Sequence, residues 1–249
     1  MNGPAGSEIE GRKLLEISNL SKRFGGLTAF SGIDLTISEG QIMALIGPNG
    51  AGKTTMINCI TGVYRPTEGE ILFQGRSLTN LRPHQICRLG VGRTFQIPRP
   101  FMNMTVLENI RVCAHSGLED FQGILDLAGL WPKRDVPAKS LTFQERRQME
   151  LLRALAVKPK LLLLDETVAG LNPAETEEMM ALLRRVHREL KVTVLWIEHV
   201  MKAIMENAHH IAVLHQGSLI ARGEPRQIAN DPRVIEAYLG EEYRFERGG

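Results

Sequence analysis

Apolar and polar residues alternate along Leu14-Leu15-Glu16-Ile17-Ser18-Asn19-Leu20 and again along Ile33-Asp34-Leu35-Thr36-Ile37-Ser38, the period of half-buried antiparallel strands. A Ser38-Glu39-Gly40 turn then leads into an unbroken apolar run, Ile42-Met43-Ala44-Leu45-Ile46. Glu70-Ile71-Leu72-Phe73, set between Gly69 and Gln74-Gly75, predicts another strand. Val91-Gly92-Arg93-Thr94-Phe95 predicts one more, ending at Gln96 before Pro98-Arg99-Pro100. From Thr105 to about Lys158 the spacing turns helical, clearest at Leu125 to Leu130 and Glu145 to Ala156. Strand pattern resumes with Lys160-Leu161-Leu162-Leu163-Leu164-Asp165, a run suited to burial on both faces. Pro173 opens a helix behind the N-cap Asn172; its acids (Glu175, Glu177, Glu178) come first and its bases (Arg184, Arg185, Arg188) last, as the helix dipole favours. Val192 to Ile197 predicts a buried strand, and Ile211–Leu214 with Ser218–Ala221 a hairpin around Gln216-Gly217. Pro225 to Leu239 predicts two short helices.

Strands alternating with helices predict an α/β protein with a mostly parallel sheet. We expect one domain over 1–249: a core with an N-terminal antiparallel β part from 1–96 and 159–249, and an inserted helical part over 97–158. Composition adds bounds rather than chemistry. Hydrophobic content of 43% and charged content of 23% describe an ordinary globular chain, and a net charge of +2 gives no argument for nucleic acid. No apolar run approaches the roughly 20 residues that cross a bilayer, and Met1 to Lys13 reads as a polar lead-in without a signal-peptide core. Cys59, Cys87 and Cys113 lack metal or redox spacing, which points to reduced thiols in the cytosol.

Chemistry enters at Gly47-Pro48-Asn49-Gly50-Ala51-Gly52-Lys53-Thr54-Thr55, between an apolar run and a potential helix, Thr54 to Ile60. Glycines let the backbone turn tightly and bring N–H groups against phosphates, and the helix adds its positive end. Lys53 supplies an ammonium for the β- and γ-phosphates, and Thr54 a hydroxyl for Mg²⁺. The spacing and its strand-before, helix-after setting predict a nucleoside triphosphate site, the P-loop of a P-loop NTPase. Asp165 and Glu166 leave a buried strand at its carboxyl end, where such sheets bind ligands. Asp165 is expected to hold Mg²⁺ and Glu166 to orient or deprotonate the attacking water. His199, after Trp196-Ile197-Glu198, is placed to sense the γ-phosphate, and the Gln96 amide to reach Mg²⁺ or the water. Phe24 is a candidate to stack on adenine, with a place in the core as the alternative.

Together these pieces resemble the ATP-binding subunit of ABC transporters. They run in order: aromatic Phe24, Walker A Gly47 to Thr55, Gln96, a signature-like Leu141-Thr142-Phe143-Gln144-Glu145, Walker B Leu161 to Glu166, Ala169-Gly170-Leu171-Asn172, and His199. Within that family the chain is similar to the branched-chain amino-acid import group, through Phe24-Gly25-Gly26-Leu27-Thr28-Ala29, Arg93-Thr94-Phe95-Gln96, Met104 to Asn109, Trp196-Ile197-Glu198-His199 and Ala237-Tyr238-Leu239-Gly240. The resemblance implies a RecA-like core, ATP and Mg²⁺ as cofactors, and ATP hydrolysis driving uptake of amino acids, branched-chain ones foremost, or similar small polar solutes. It also implies transmembrane permease partners on the inner face of the cell membrane, a second ATP-binding subunit in a homo- or heterodimer, and, indirectly, a solute-binding protein.

Two departures stand out. The family signature reads Leu-Ser-X-Gly-Gln or Leu-Ser-X-Gly-Glu, so Thr142 stands for the serine and Gln144 for the glycine that lets main-chain N–H groups touch the partner's γ-phosphate. Thr167 replaces the proline that usually follows the Walker B glutamate. This chain is therefore expected to own a full P-loop half-site and to lend its partner an altered one through Thr142, Phe143, Gln144 and Glu145. A hydrolysis-impaired regulatory subunit is one alternative. A soluble ABC-type ATPase is the other, though no heptads or second P-loop support it.

Overall fold

The two alternating segments pair with each other, β1 (Lys13–Phe24) running antiparallel to β2 (Leu27–Ser38). The chain reverses through Gly25, at φ +56, in a left-handed conformation that glycine adopts without steric cost. Leu15, Ile17, Leu20, Ile33, Leu35 and Ile37 are buried while Ser18, Asn19 and Asp34 face solvent, so the period-2 pattern sorts the two faces of the sheet, its phase reset by the register shift between Ile17 and Leu20. The structure is a computed structural model that describes residues 11–114 and 119–238. Most of the expected polar lead-in (1–10) and the tail from Leu239 lie outside the described residues.

Two compact units make up the chain: one from the sequence up to Leu81 joined by that from Ile204 onward, the other from Arg82–Ala203. In the first, β3 (Ile42–Ile46) follows the N-terminal hairpin and is buried along its whole length. A helix, α1 (Lys53–Ile60), comes next, and β4 (Glu68–Phe73) and β5 (Arg76–Ser77) complete an antiparallel sheet in the order β2-β1-β4-β5.

The second unit contains α2 (Pro83–Arg88), β6 (Val91–Arg93), α3 (Val106–Cys113), α4 (Phe121–Leu127), α5 (Phe143–Leu155), β7 (Leu161–Asp165), α6 (Pro173–Leu190) and β8 (Thr193–Ile197); α7 (Met201–Asn207) begins in it and continues from Ile204 as part of the first. Here β6, β7 and β8 run parallel in that order. Every residue of β7 and β8 is buried, which the continuous apolar runs foretold; each such Leu, Ile or Val contributes about 1.5–3 kcal/mol. The expected 91–95 strand stops at Arg93, because Phe95 turns outward and is 48% exposed. Asn172 caps α6 as its sequence indicated: Oδ1 accepts Ala174 N and Glu175 N at 3.0 Å each, with Pro173 as the first helical residue.

Back in the first unit, β9 (His210–His215) lies parallel to β3 and antiparallel to β10 (Ser218–Gly223), ahead of α8 (Pro225–Ala229). Ala44, Ile46, Ile204, Ile211, Val213 and Ile228 form the core under these strands. Residues 232–238 are helical, in line with the second short helix expected before Leu239.

Candidate functional site

The first unit carries the P-loop. Between β3 and α1 two glycines sit where a side chain has no room: a Cβ on Gly47 would lie 2.0 Å from the Leu214 carbonyl oxygen, and one on Gly52 2.7 Å from that of Ala29. Gly50 and Gly52 have φ of +79 and +103, where other residues are strained. Ala51 N donates to Pro48 O at 3.2 Å, which closes the turn, and Asn49 and Gly50 are exposed at its tip. Lys53 Nζ folds back over the loop, 2.5 Å from Gly47 O and 2.8 Å from Pro48 O. Among the described residues no side chain caps α1 and its own first turn contains no acid, so the N–H groups and positive end of the helix face the loop. Thr54 is exposed and Thr55 half-buried there. A glycine-built cradle of main chain, a lysine and a bare helix end fit a chain of phosphates.

The second unit carries the acids. Asp165 ends β7, 2% exposed, and Arg93 Nη2 donates to its Oδ2 at 3.1 Å, while its backbone N–H donates to Thr94 Oγ1 at 3.2 Å. Glu166 follows at φ +50, an uncommon conformation for a side-chain-bearing residue, fixed by its N–H donating to Ile197 O at 2.9 Å. Its Oε2 accepts Gln96 Nε2 at 2.6 Å. The structure thus brings together two of the expected catalytic residues that are far apart in sequence. Thr167, in place of the usual proline, is 4% exposed, and its hydroxyl is without a hydrogen-bond partner among the described residues.

His199 projects from the end of β8 with its side chain 61% exposed, 3.5 Å from Glu198 Oε1. Glu198, 1% exposed, is a residue whose role sequence reasoning missed: Oε2 accepts Val168 N at 3.3 Å and Oε1 accepts His199 N at 2.9 Å. It tethers the turn after Glu166 to the histidine. The role of Arg93 toward Asp165 is likewise not visible in the sequence, although Arg93 and Glu198 both stand inside the motifs that carry Gln96 and His199.

Phe24 is 41% exposed and so is not a core residue. Its ring meets Tyr64 edge-on, centroids 5.1 Å apart, and Lys22 Nζ sits 4.7 Å from its centroid while donating to Arg65 O at 2.9 Å. Tyr64 had no signal in the sequence.

At the signature position Thr142 is the N-cap of α5: its Oγ1 accepts Glu145 N at 3.2 Å and Glu145 Oε2 accepts Thr142 N at 3.0 Å. Burial pushes the Glu145 carboxyl up, but the bonds from Lys133 and Thr142 outweigh it and hold the group below the usual carboxylate range. Phe143, 43% exposed, lies under the Arg147 guanidinium at 5.2 Å and leaves Gly170 no comfortable room for a side chain, since a Cβ there would be 3.3 Å from Cε1. Arg147 Nη2 donates to Ala169 O at 3.0 Å. Gln144 projects from the first turn of α5 and its amide donates to Glu178 of α6.

The comparisons agree with these parts. The family described as "ABC transporter" matches residues 30–169, and that described as "Branched-chain amino acid ATP-binding cassette transporter" matches 218–244. The high-affinity branched-chain amino acid transport ATP-binding protein BraF of Pseudomonas aeruginosa is 42% identical, over 92% of this chain and 99% of its own. An ATP-binding cassette of an ABC transporter solved in its ADP conformation superposes with a TM-score of 0.82 at 30% identity, covering 92% of this chain and 99% of that one. A dimeric cassette in a post-hydrolysis state, bound to ADP and Pi, gives 0.75 at 25% identity over 86% and 99%. These matches bear out the resemblance, the fold class and the ATPase expectation. The chain belongs to the ABC transporter family, as one of its nucleotide-binding ATPase subunits.

Proposed function

We propose that this chain is the ATP-hydrolysing subunit of an importer of branched-chain amino acids or similar small polar solutes. It works as a single cassette domain with its helical part inserted over 97–158, peripheral on the inner face of the cell membrane. The Gly47–Thr55 loop binds the phosphates of ATP and Phe24 takes the adenine. Thr54, Asp165 and Gln96 would hold Mg²⁺, which screens the phosphate charge when bound. Glu166 orients the water or takes its proton, and His199 reports loss of the γ-phosphate. What supports the reading most is the 2.6 Å contact from Gln96 to Glu166, which ties the hydrolytic acid to the segment running into the helices. Among the described residues no helix is long and apolar enough to cross a membrane, so transport calls for permease partners. The exposed Ile97 and Phe101 offer those partners a docking surface, and a solute-binding protein would deliver cargo to them. Nucleic acid has no part.

A second ATP-binding subunit is also required, and Gln144 favours a partner with an intact signature over a copy of this chain. Its side chain occupies the helix start where bare main chain would meet the partner's phosphate. The direct test is uptake of labelled leucine or valine by cells deleted for this chain. Uptake should fall to background and return with the wild-type chain but not with Lys53→Ala; unchanged uptake in the deletion strain would remove the assignment.

A further inference from the structure

In the first unit two neighbouring histidines, where β9 begins, meet two neighbouring residues where β3 begins, and the donors on the β3 side fix the state of both rings. The Ile42 main-chain N–H, which can only donate, gives its hydrogen to His209 Nδ1 at 3.0 Å. Beside it, Gln41 Oε1 accepts Ser38 N at 3.0 Å, which turns the amide nitrogen toward His210 Nδ1, 2.9 Å away. Both imidazoles are therefore acceptors at Nδ1, and a ring in that role is neutral with its proton on Nε2. The main chain closes the same contact, since His209 N donates to Ile42 O at 2.9 Å. Gln41 and Ile42 are both buried. His187 on α6 shows the opposite geometry: its Nδ1 lies 3.0 Å from Val192 O, so that ring donates and loses nothing by taking a charge.

A protonated imidazole has no acceptor left. Charging His209 sets N–H against N–H at Ile42, and charging His210 does the same at the Gln41 amide, which orphans a donor in a buried place. Burial holds the His210 ring below its usual pKa range; Arg222 on β10 adds to that, and Glu224 just beyond it opposes. The charged groups on the approach to Gln41 face each other, Arg12 Nε lying 3.6 Å from Glu39 Oε1. An unfolded histidine takes its proton at about pH 6.5 and the folded His210 only lower, so this stability is whole above that pH and is lost as pH falls through it. The paired strands lead straight to the P-loop. Met43 to Ile46 pair with His210 to Val213, and the next residue of β9, Leu214, carries the carbonyl that leaves Gly47 no room for a Cβ. We propose that His209 and His210 form an acid-sensitive latch on the strand pair beneath the P-loop, closed while both rings are neutral and released when either is charged. The latch is independent of what the loop binds.

Nitrogen NMR of the full-length chain labelled at histidine reads the latch without any variant. At about pH 7.5 both rings should be the Nε2–H tautomer, and an Nδ1–H signal from either overturns the proposal. Between about pH 7.5 and 5.5 the wild type should lose about 5 °C of melting temperature, the scale of two hydrogen bonds in a chain of this size. Over the same range hydrogen–deuterium exchange, corrected for the intrinsic rate at each pH, should rise by about threefold or more at 41–46 and 209–214. Asparagine places Oδ1 where histidine has Nδ1 and does not titrate. His209→Asn combined with His210→Asn should melt within a few degrees of wild type at the higher pH and lose at least half of the acid drop. Each single variant should lose part of it, and serves if the pair does not fold. An acid drop in the folded double variant as large as that of the wild type, or wild-type protection at 41–46 that survives at the lower pH, overturns the proposal.

Discussion

Glu166 stands at φ +50 with its carboxylate on Gln96, a geometry held by the Ile197 carbonyl rather than by the proline that Thr167 replaces. A glutamine there is isosteric and its amide oxygen still accepts from Gln96, so only the basicity is removed. Glu166→Gln should leave ATP affinity within about twofold but slow single-turnover hydrolysis by roughly 10²–10⁴, the usual worth of a general base. Turnover within a fewfold of wild type would take Glu166 out of that role. Gln144 invites the opposite experiment. Gln144→Gly removes the exposed bond to Glu178 and puts glycine into the first turn of α5, which should cost about 1 kcal/mol in urea denaturation. If the side chain blocks the partner's phosphate, the same change should raise hydrolysis by a homodimer about tenfold or more, the scale of regained main-chain donors. A rise in activity together with a fall in stability is a signature that generic damage does not produce.

Elements were legible where a local rule decided them. The unbroken runs of β3, β7 and β8 fold as strands buried along their whole length, and α6 begins where its cap said. The cap of α5 at Thr142 differs: in the sequence the residue stands out for its place in the signature, and the capping box with Glu145 is visible only in the structure. Short helices such as α2 and α7 carry too few turns for periodicity to show. The two caps give a clean comparison because both are side-chain oxygens accepting from N–H groups of the first turn. Thr142→Ala and Asn172→Ala should each cost about 1 kcal/mol in urea midpoint titrations, since each orphans first-turn donors. Only Thr142→Ala should also disturb the hydrolysis that the chain supports in its partner. Equal functional effects would mean that the signature end of α5 has no special part.

At the scale of the whole chain, motif order could be read from sequence because a P-loop, strand-end acids and a histidine each carry their chemistry in local spacing. Their supports could not: Arg93 meets Asp165, and Glu150 meets Arg99, across long stretches of sequence that no periodicity links. Those contacts belong to the folded state alone, and so does the tightest consequence of the nucleotide reading. A ligand that binds the native chain and not the unfolded one must stabilise it, by about 2.7 kcal/mol at a hundredfold excess over its dissociation constant. For a chain of this size that is a rise in melting temperature of roughly 5–10 °C. Lys53 bonds to the Gly47 and Pro48 carbonyls and is only half-buried, so Lys53→Ala should melt within a few degrees of wild type when no nucleotide is added. With Mg-ATP at the same concentration its rise should shrink to a third or less, because the ammonium offered to the phosphates is gone. Differential scanning fluorimetry on both chains decides it: a wild type that gains nothing from Mg-ATP, or a variant that gains as much, is incompatible with a triphosphate lying along this loop.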